Sequence, residues 1–258
     1  MVFQSYVTVV PVYKVTPSKV EALSLLQLRE LNVENVTLMC PEGLDVDTYL
    51  DLWPELKVVY FSKEHFISVQ SYNDFLLKPS FYETFASEYR WMLIYQLDAF
   101  IFSNQIERFC ELGYDYFGAP WQYGFPQYWF LFNRWPIKVN FKRFYVGNGG
   151  LSLRNLNKTI DLLKRKQGHI TQTFYMEDVF FAYWGTMDES FHAAPSEVAA
   201  LFSVETYPDH WLKITKTFPM GTHNFHRTGK EWAKDFFSPI LDKCYAKLLD
   251  SFPKLNNL

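Results

Sequence analysis

An α/β fold, with a mostly parallel central sheet flanked by helices, is predicted by three features of the sequence. Short apolar runs rich in β-branched residues and hydrophobic on both faces recur at residues 6–13, 36–40, 56–61 and 91–95, as do strands covered on both sides. Segments of helical length separate them, so the first part of the chain alternates βαβαβ. The 258 residues are 48% hydrophobic and 19% aromatic, enough apolar surface and length for a substantial core.

Taken in order, residues 18–31 place Val20, Leu23, Leu26, Leu28 and Leu31 on an approximately helical period with charges between them. The polar residues 45–52 form a second helix between two strands. Residues 71–89 are helical with aromatic anchors Tyr72, Phe75, Phe81, Tyr82 and Phe85, but Pro79 must kink the helix or start a new one. The strand at 91–95 runs directly into Gln96, Leu97 and Asp98. Asp98 thus stands at the carboxyl end of a buried strand, where open α/β sheets bind their ligands. A short helix at 104–113 ends at Gly113, and YDYFGAPW is a strand entering a turn. Helices near 155–166, 175–184, 196–202 and 229–250 complete the chain. With no internal repeat or low-complexity linker, a single domain is expected.

Composition excludes several classes. The net charge is −3, which excludes general polyanion binding, so no nucleic-acid partner is expected. The three cysteines, Cys40, Cys110 and Cys244, are widely spaced, which fits neither a disulfide framework nor a thiolate zinc site and suits a reducing cytoplasm. The N-terminal MVFQSYVTVVPVYKV lacks a basic leader and is broken by Pro11 and Lys14, so it reads as a strand rather than a signal peptide. No stretch of about 18 uninterrupted apolar residues is present.

Four clusters carry the chemistry: QLD at 96–98, VGNGGLSLR at 146–154, MEDVFF at 176–181 and GTHNFHR at 221–227. Each alone has a plainer reading: Asp98 as a helix cap or turn residue, Gly149 and Gly150 as a tight turn, Glu177 and Asp178 as first-turn acids, and the histidines as surface residues. Together they suit transfer from a nucleotide-diphosphate donor. A carboxylate and a histidine can hold a divalent ion on a diphosphate, glycines allow close backbone approach, and an acid at a helix start can take a proton from an attacking hydroxyl. The helix dipole would keep that acid ionised at neutral pH.

With LIYQLDAFIF, YDYFGAPW, VGNGGLSLRN, MEDVFFA, AALFSVE and PMGTH in this order, the chain from about residue 6 to 226 resembles bacterial GT-A-like glycosyltransferases, many carrying a domain of unknown function and encoded with capsule or lipopolysaccharide genes. The resemblance implies a GT-A-like domain over residues 1–258, with a nucleotide-sugar-binding half to about residue 118 and an acceptor and catalytic half from about residue 119. Asp98 is similar to the last carboxylate of the D-x-D motif, with Gln96 where that motif has its first Asp. His223 is similar to the late metal-binding histidine, with His226 as its alternative. The implied cofactor is a divalent ion, Mn²⁺ or Mg²⁺; Gln96 in place of a carboxylate weakens its binding and leaves strict dependence on it open. Asp178 looks like the base of an inverting enzyme, with Glu177 beside it for acceptor hydroxyls. Gly149 and Gly150 would lie against donor sugar or acceptor. By the same analogy Pro11, Val12 and Tyr13 neighbour the nucleotide base, with Glu42 after the second strand, and Asn73 and Lys78 reach ribose or phosphate.

The implied partners are a nucleotide-sugar donor and a surface-polysaccharide or lipid-linked glycan acceptor. Other readings are a nucleotidyltransferase or sugar-phosphate enzyme on a related sheet, and a non-catalytic carbohydrate-binding protein drawing on the aromatic content. Residues 116–160 contain no Asp or Glu but six Lys or Arg. Within them, residues 125–144 interleave Trp129, Phe130, Phe132 and Trp135 with Arg134, Lys138, Lys142 and Arg143. That pattern suits a wall meeting a lipid interface and phosphate, so the expected location is the cytoplasm, with peripheral contact at the inner face of the membrane.

Overall fold

A computed structural model describes residues 4–126, 143–173, 176–224, 234–253 and 255. Strands β1 (Gln4–Pro11), β2 (Val36–Pro41), β3 (Lys57–Phe61) and β4 (Tyr89–Tyr95) are mutually parallel in the order β3-β2-β1-β4. Val7, Val9 and Val10 of β1 are fully buried, which is why this strand carries no alternation of polar residues. Short β5 (Ala99–Ile101) leaves the sheet, followed by β6 (Tyr116–Phe117), β7 (Pro120–Pro126), β8 (Arg143–Val146) and β9 (Leu151–Asn155). Strand β9 returns antiparallel beside β4 and carries β6 on its far edge. The glycine-rich segment VGNGGLSLRN is thus a turn leading into β9, the fifth strand across the six-stranded main sheet, and a strand from beyond residue 118 sits next to β4. Strands β7 and β8 pair with each other, and β10 (Ser203–Val204) and β11 (Gly221–His223) form a small sheet with β5.

Helices α1 (Lys19–Glu30), α2 (Asp47–Leu52), α3 (Val69–Leu76), α4 (Pro79–Ala86) and α5 (Ile106–Cys110) flank the first strands. Ser18 and Glu21 cap α1 reciprocally, Glu21 accepting from the Ser18 amide at 2.7 Å, so the helix begins at the carboxyl end of β1. Pro79 begins α4 as its first residue, where its missing N–H costs nothing. The helix expected at 104–113 is one short turn and a half; Gly113 beyond it adopts a left-handed φ of +79°. Then follow α6 (Leu156–Arg165), α7 (Gln167–Thr173), α8 (Glu177–Met187), α9 (Ser196–Phe202), α10 (Pro208–Thr215) and α11 (Lys234–Ser251). Leu23 and Leu26 of α1 pack in a second apolar cluster with Phe237, Leu241 and Leu248 of α11. The C-terminal helix therefore covers the face of α1 turned from the main core. No described helix is long and apolar enough to cross a membrane.

Candidate active site

The carboxyl ends of β1 and β4 lie side by side and open onto a cavity of about 780 Å³. Pro11, Val12, Tyr13 and Lys14 line it from β1, and Gln96, Leu97 and Asp98 from β4. The capped start of α1 adds Ser18 and Glu21, and the start of α3 adds Ser68, Val69 and Tyr72. Lys14 is held by Glu21 at 2.8 Å, so the cation of this lining is already neutralised.

At the inner end, the three-stranded sheet sets three side chains in a row. Antiparallel pairing of β5 with β11 places His223 opposite Ala99, next to Asp98, and the Asn224 amide donates to the Asp98 carbonyl at 2.8 Å. Parallel pairing of β10 with β11 sets Val204 opposite Thr222, bringing Glu205 level with His223. Consequently His223 Nδ1 lies 3.2 Å from Glu205 and Nε2 lies 3.2 Å from Asp98 Oδ1 and 3.3 Å from Gln96 Oε1. Burial works against the imidazolium, but the Asp98 and Glu205 carboxylates overcome it and push the His223 pKa up to about 10. Residues 221–223 form a buried strand hydrogen-bonded on both sides. His226 lies outside the described residues.

With a pKa of about 10 the His223 ring is protonated on both nitrogens at neutral pH and pairs with Asp98 and Glu205; only on losing the Nε2 proton would it stand with Asp98 Oδ1 and Gln96 Oε1 as a donor for a divalent ion. Two oxygens and one ring nitrogen converge, while Glu205 holds the far nitrogen, the arrangement that orients metal-binding histidines. Only one of the two oxygens is a carboxylate's, so the charge offered is low. No group of three or more His, Cys, Asp and Glu ligands occurs among the described residues, which accords with Asp98 and Glu205 occupying opposite nitrogens of the ring.

The glycine turn joins this cluster to the acid pair. The Gln96 amide donates to the Gly150 carbonyl at 2.8 Å, and a Cβ on Gly150 would lie 2.0 Å from His223 Nε2. A Cβ on Gly149 would lie 1.8 Å from Glu177 Oε1. Both glycines are buried: the room left by their missing side chains is taken by the protein's own His223 and Glu177. Asn148, at φ 55°, ties the turn to the preceding segment, accepting from Trp121 Nε1 at 3.0 Å and donating to the Ala119 carbonyl at 3.1 Å.

Glu177 forms a buried ion pair with Arg154 of β9 at 2.9 Å. Arg154 is fully buried, donates to Ser152 Oγ and Tyr82 Oη, and lies over the Phe181 ring. The start of α8 is further fixed by Asn73 Oδ1, which accepts from the Glu177 amide at 2.9 Å. Asp178 follows, partly buried. Burial and the adjacent Glu177 charge raise its pKa to about 7. The helix-dipole expectation of an ordinary ionised acid is therefore corrected: loss of hydration outweighs the dipole here.

Other expected positions fall differently. Asn73 and Lys78 do not line the cavity: the Asn73 amide is engaged with Val69 and Glu177, and Lys78 is an exposed residue preceding α4. Glu42 is exposed just past β2, away from the cavity lining, its amide donating to the Phe61 carbonyl at 2.8 Å. Sequence reasoning assigned no role to Glu205, Lys14, Tyr72 or Arg154. Glu205 and Arg154 lie within the quoted motifs, but a lone acid after an apolar helix and a lone Arg in a strand carry no signal of their partners.

Comparison with solved structures identifies the architecture. The galactosyltransferase LgtC in complex with donor and acceptor sugar analogs superposes with a TM-score of 0.56 at 11% identity, covering 95% of each chain. An active-site mutant of LgtC gives 0.52 at 12% identity over 92% of this chain and 95% of that one. Mouse xyloside xylosyltransferase 1 in its apo form gives 0.52 at 15% identity over 85% of this chain and 97% of that one. The fold is GT-A-like, as the resemblance implied. No curated protein matches the sequence. The sequence profile of DUF5672, described as a protein of unknown function, matches residues 55–223, from β3 through His223. Because that match spans more than half of its length and contains the Gln96, Asp98, Glu177, Asp178 and His223 cluster, the chain belongs to the DUF5672 family.

Proposed function

We propose that this protein is a nucleotide-sugar-dependent glycosyltransferase that inverts configuration at the transferred sugar. The observation that carries the reading is a cavity at the carboxyl ends of β1 and β4, in a GT-A-like fold, lined by Gln96 and Asp98, whose side chains are in turn held by His223. The proposed donor enters between the ends of β1 and α1 on one side and α3 on the other, with its diphosphate toward Asp98. An anionic diphosphate is repelled by Asp98 unless a cation intervenes, and Lys14 is spent on Glu21. Gln96, Asp98 and His223 are the residues that would hold Mn²⁺ or Mg²⁺, which supplies charge neutralisation for the departing diphosphate.

Asp178 is proposed as the base. Its carboxylate takes the proton from an acceptor hydroxyl as that oxygen attacks the anomeric carbon, and the bond to the diphosphate breaks with its electron pair. Arg154 and Asn73 hold Glu177, and so the start of α8, in place for this step. The acceptor is proposed to be a surface-polysaccharide or lipid-linked glycan, met by residues 125–144 at the cytoplasmic face of the membrane. Residues 127–142 lie outside those described, and this part rests on their sequence alone.

A donor screen tests the reading. UDP-, GDP-, CMP- and dTDP-sugars are offered with and without Mn²⁺, measuring thermal stabilisation and sugar release. The expected result is one preferred nucleotide whose binding strengthens with Mn²⁺ and is lost in Asp98→Ala while the fold persists. Equal nucleotide affinity in wild type and Asp98→Ala would overturn the placement of the diphosphate.

A further inference from the structure

A second cavity, of about 690 Å³ and sharing no residue with the first, opens beside α8 and takes no part in the transfer proposed above. Its floor is fastened on two sides. The Ala193 amide donates to the Gly185 carbonyl of α8 at 3.2 Å, and the Ala194 amide to the Tyr116 carbonyl of β6 at 2.9 Å. His192 is pinned through its backbone, its amide donating to Asp115 Oδ2 at 3.1 Å and its carbonyl accepting from the Asp115 amide at 2.7 Å, which leaves the imidazole more than half exposed. Two tyrosines wall the cavity, each packed on one side. Tyr114 meets the Phe117 ring edge-on at 5.9 Å. The Tyr145 ring takes the space where Gly124 lacks a side chain, a Cβ there falling 2.7 Å from its Cε1, and Tyr145 is still 41% exposed. Arg143, on the same exposed face of β8 as Tyr145, is anchored through Nη1 to the Tyr123 and Gly124 carbonyls.

The side chains define the ligand by their chemistry. The tyrosines offer flat apolar faces, Arg143 and His192 offer planar N–H donors, and Glu197 is an acceptor in the same cavity. The Thr186 hydroxyl, already donating to the Ala182 carbonyl at 3.0 Å, is left as a second acceptor. A phosphate site would gather donors without a carboxylate, and a lipid site would exclude ionised side chains. A chain of sugar rings, with apolar ring faces and hydroxyls that both donate and accept, matches the mixture. The cavity is also aligned with the proposed base. Ala182 and Gly185 of its wall stand four and seven residues after Asp178 on one face of α8, about 6–10 Å further along the helix at a rise of about 1.5 Å per residue. We propose that this cavity is an oligosaccharide-binding site that holds a part of the glycan acceptor remote from the hydroxyl that reacts. The carbohydrate class rests on the cavity's own side chains, and the role as acceptor rests on the glycosyltransferase reading above.

Saturation-transfer NMR and titration calorimetry with cellotetraose, maltotetraose, xylotetraose and chitotetraose test the site in wild type, Tyr145→Ala and Thr186→Trp. The first variant removes a wall, and the second adds bulk at an exposed position of the lining. Thermal stabilisation of the same three proteins by nucleotide-sugars with Mn²⁺ reads the other cavity. The expected result is that wild type binds at least one tetrasaccharide and both variants bind it roughly tenfold or more weakly, with nucleotide-sugar stabilisation as in wild type. If Tyr145→Ala fails to fold, Thr186→Trp decides. Wild type binding none of the four, or Thr186→Trp binding as tightly as wild type, overturns the oligosaccharide site. If nucleotide-sugars stabilise the protein in that case, the glycosyltransferase reading stands without it. Tetrasaccharide binding that both variants lose, in a protein that no nucleotide-sugar stabilises, upholds the site and overturns the glycosyltransferase reading instead.

Discussion

Asp178 shows how one residue's environment sets its chemistry. A carboxyl held near pKa 7 by burial and by Glu177 is a stronger proton acceptor than an ordinary aspartate and is still largely ionised just above neutrality. Under the proposed mechanism, kcat/KM rises with pH through about 7, and Glu177→Gln moves that limb to lower pH because it removes a neighbouring negative charge; a pH–rate profile of both proteins checks this. Asp178→Asn should lower the rate by roughly 10²–10⁴-fold with donor affinity nearly unchanged. The same shift has a stability consequence. The folded state holds this proton above the ordinary value of 3.8, so its contribution to stability declines as pH rises from about 3.8 to about 7 and is level above that. Asp178→Asn removes that decline, measurable as a smaller fall in melting temperature across the window. Gly150 makes a second residue-scale prediction. The Cβ of Gly150→Ala would lie 2.0 Å from His223 Nε2, so the variant should fold yet lose Mn²⁺-assisted nucleotide binding in titration calorimetry.

At the scale of elements, two short pieces of sheet organise the site. Strands β5, β10 and β11 contribute few residues each, yet their register alone aligns Asp98, His223 and Glu205. Strand β9 does the same for the acid pair by carrying Arg154 into the core beneath Glu177. A buried guanidinium left without its carboxylate is an uncompensated charge, and breaking such a pair costs about 3–5 kcal/mol. Arg154→Met and Glu177→Gln should each lower unfolding free energy by about that range, and the double variant should lose less than the sum of the two. Chemical denaturation in a double-mutant cycle reads this directly; additive losses would show that the pair contributes no coupling.

At the scale of the whole molecule, charge is unevenly placed. The chain is acidic overall, yet residues 116–160 contain only basic charges. If residues 125–144 meet an anionic membrane as proposed, each basic residue near the surface adds on the order of 1 kcal/mol, and salt weakens the attraction within a Debye length. Sedimentation with phosphatidylserine vesicles should show binding that high salt reverses and that changing Lys138, Lys142 and Arg143 to Glu abolishes. Binding that ignores both changes would leave the aromatic residues of this segment to a packing role.

The parallel strands β1 to β4, the helix between the first two, the break at Pro79 and the place of Asp98 at a strand's end were legible in the residues alone. These are local properties: side-chain periodicity and proline geometry act within a few residues. Asp98 was legible for the same reason, following a buried strand in an open sheet, whereas Tyr13 and Gln96 entered only through the glycosyltransferase resemblance. The remaining features depend on pairs far apart in the chain. Gly149 and Gly150 read as a ligand-facing loop, but the space they leave is filled by Glu177 and His223. Asn73 read as a ligand contact, but its amide caps a helix that begins at Glu177. Glu205 and Arg154 gained their roles only when β10 paired with β11 and β9 paired with β4. The acidity of Asp178 follows burial rather than position along its helix. Desolvation and long-range pairing are set by what packs against a residue, and that information does not reside in its sequence neighbours.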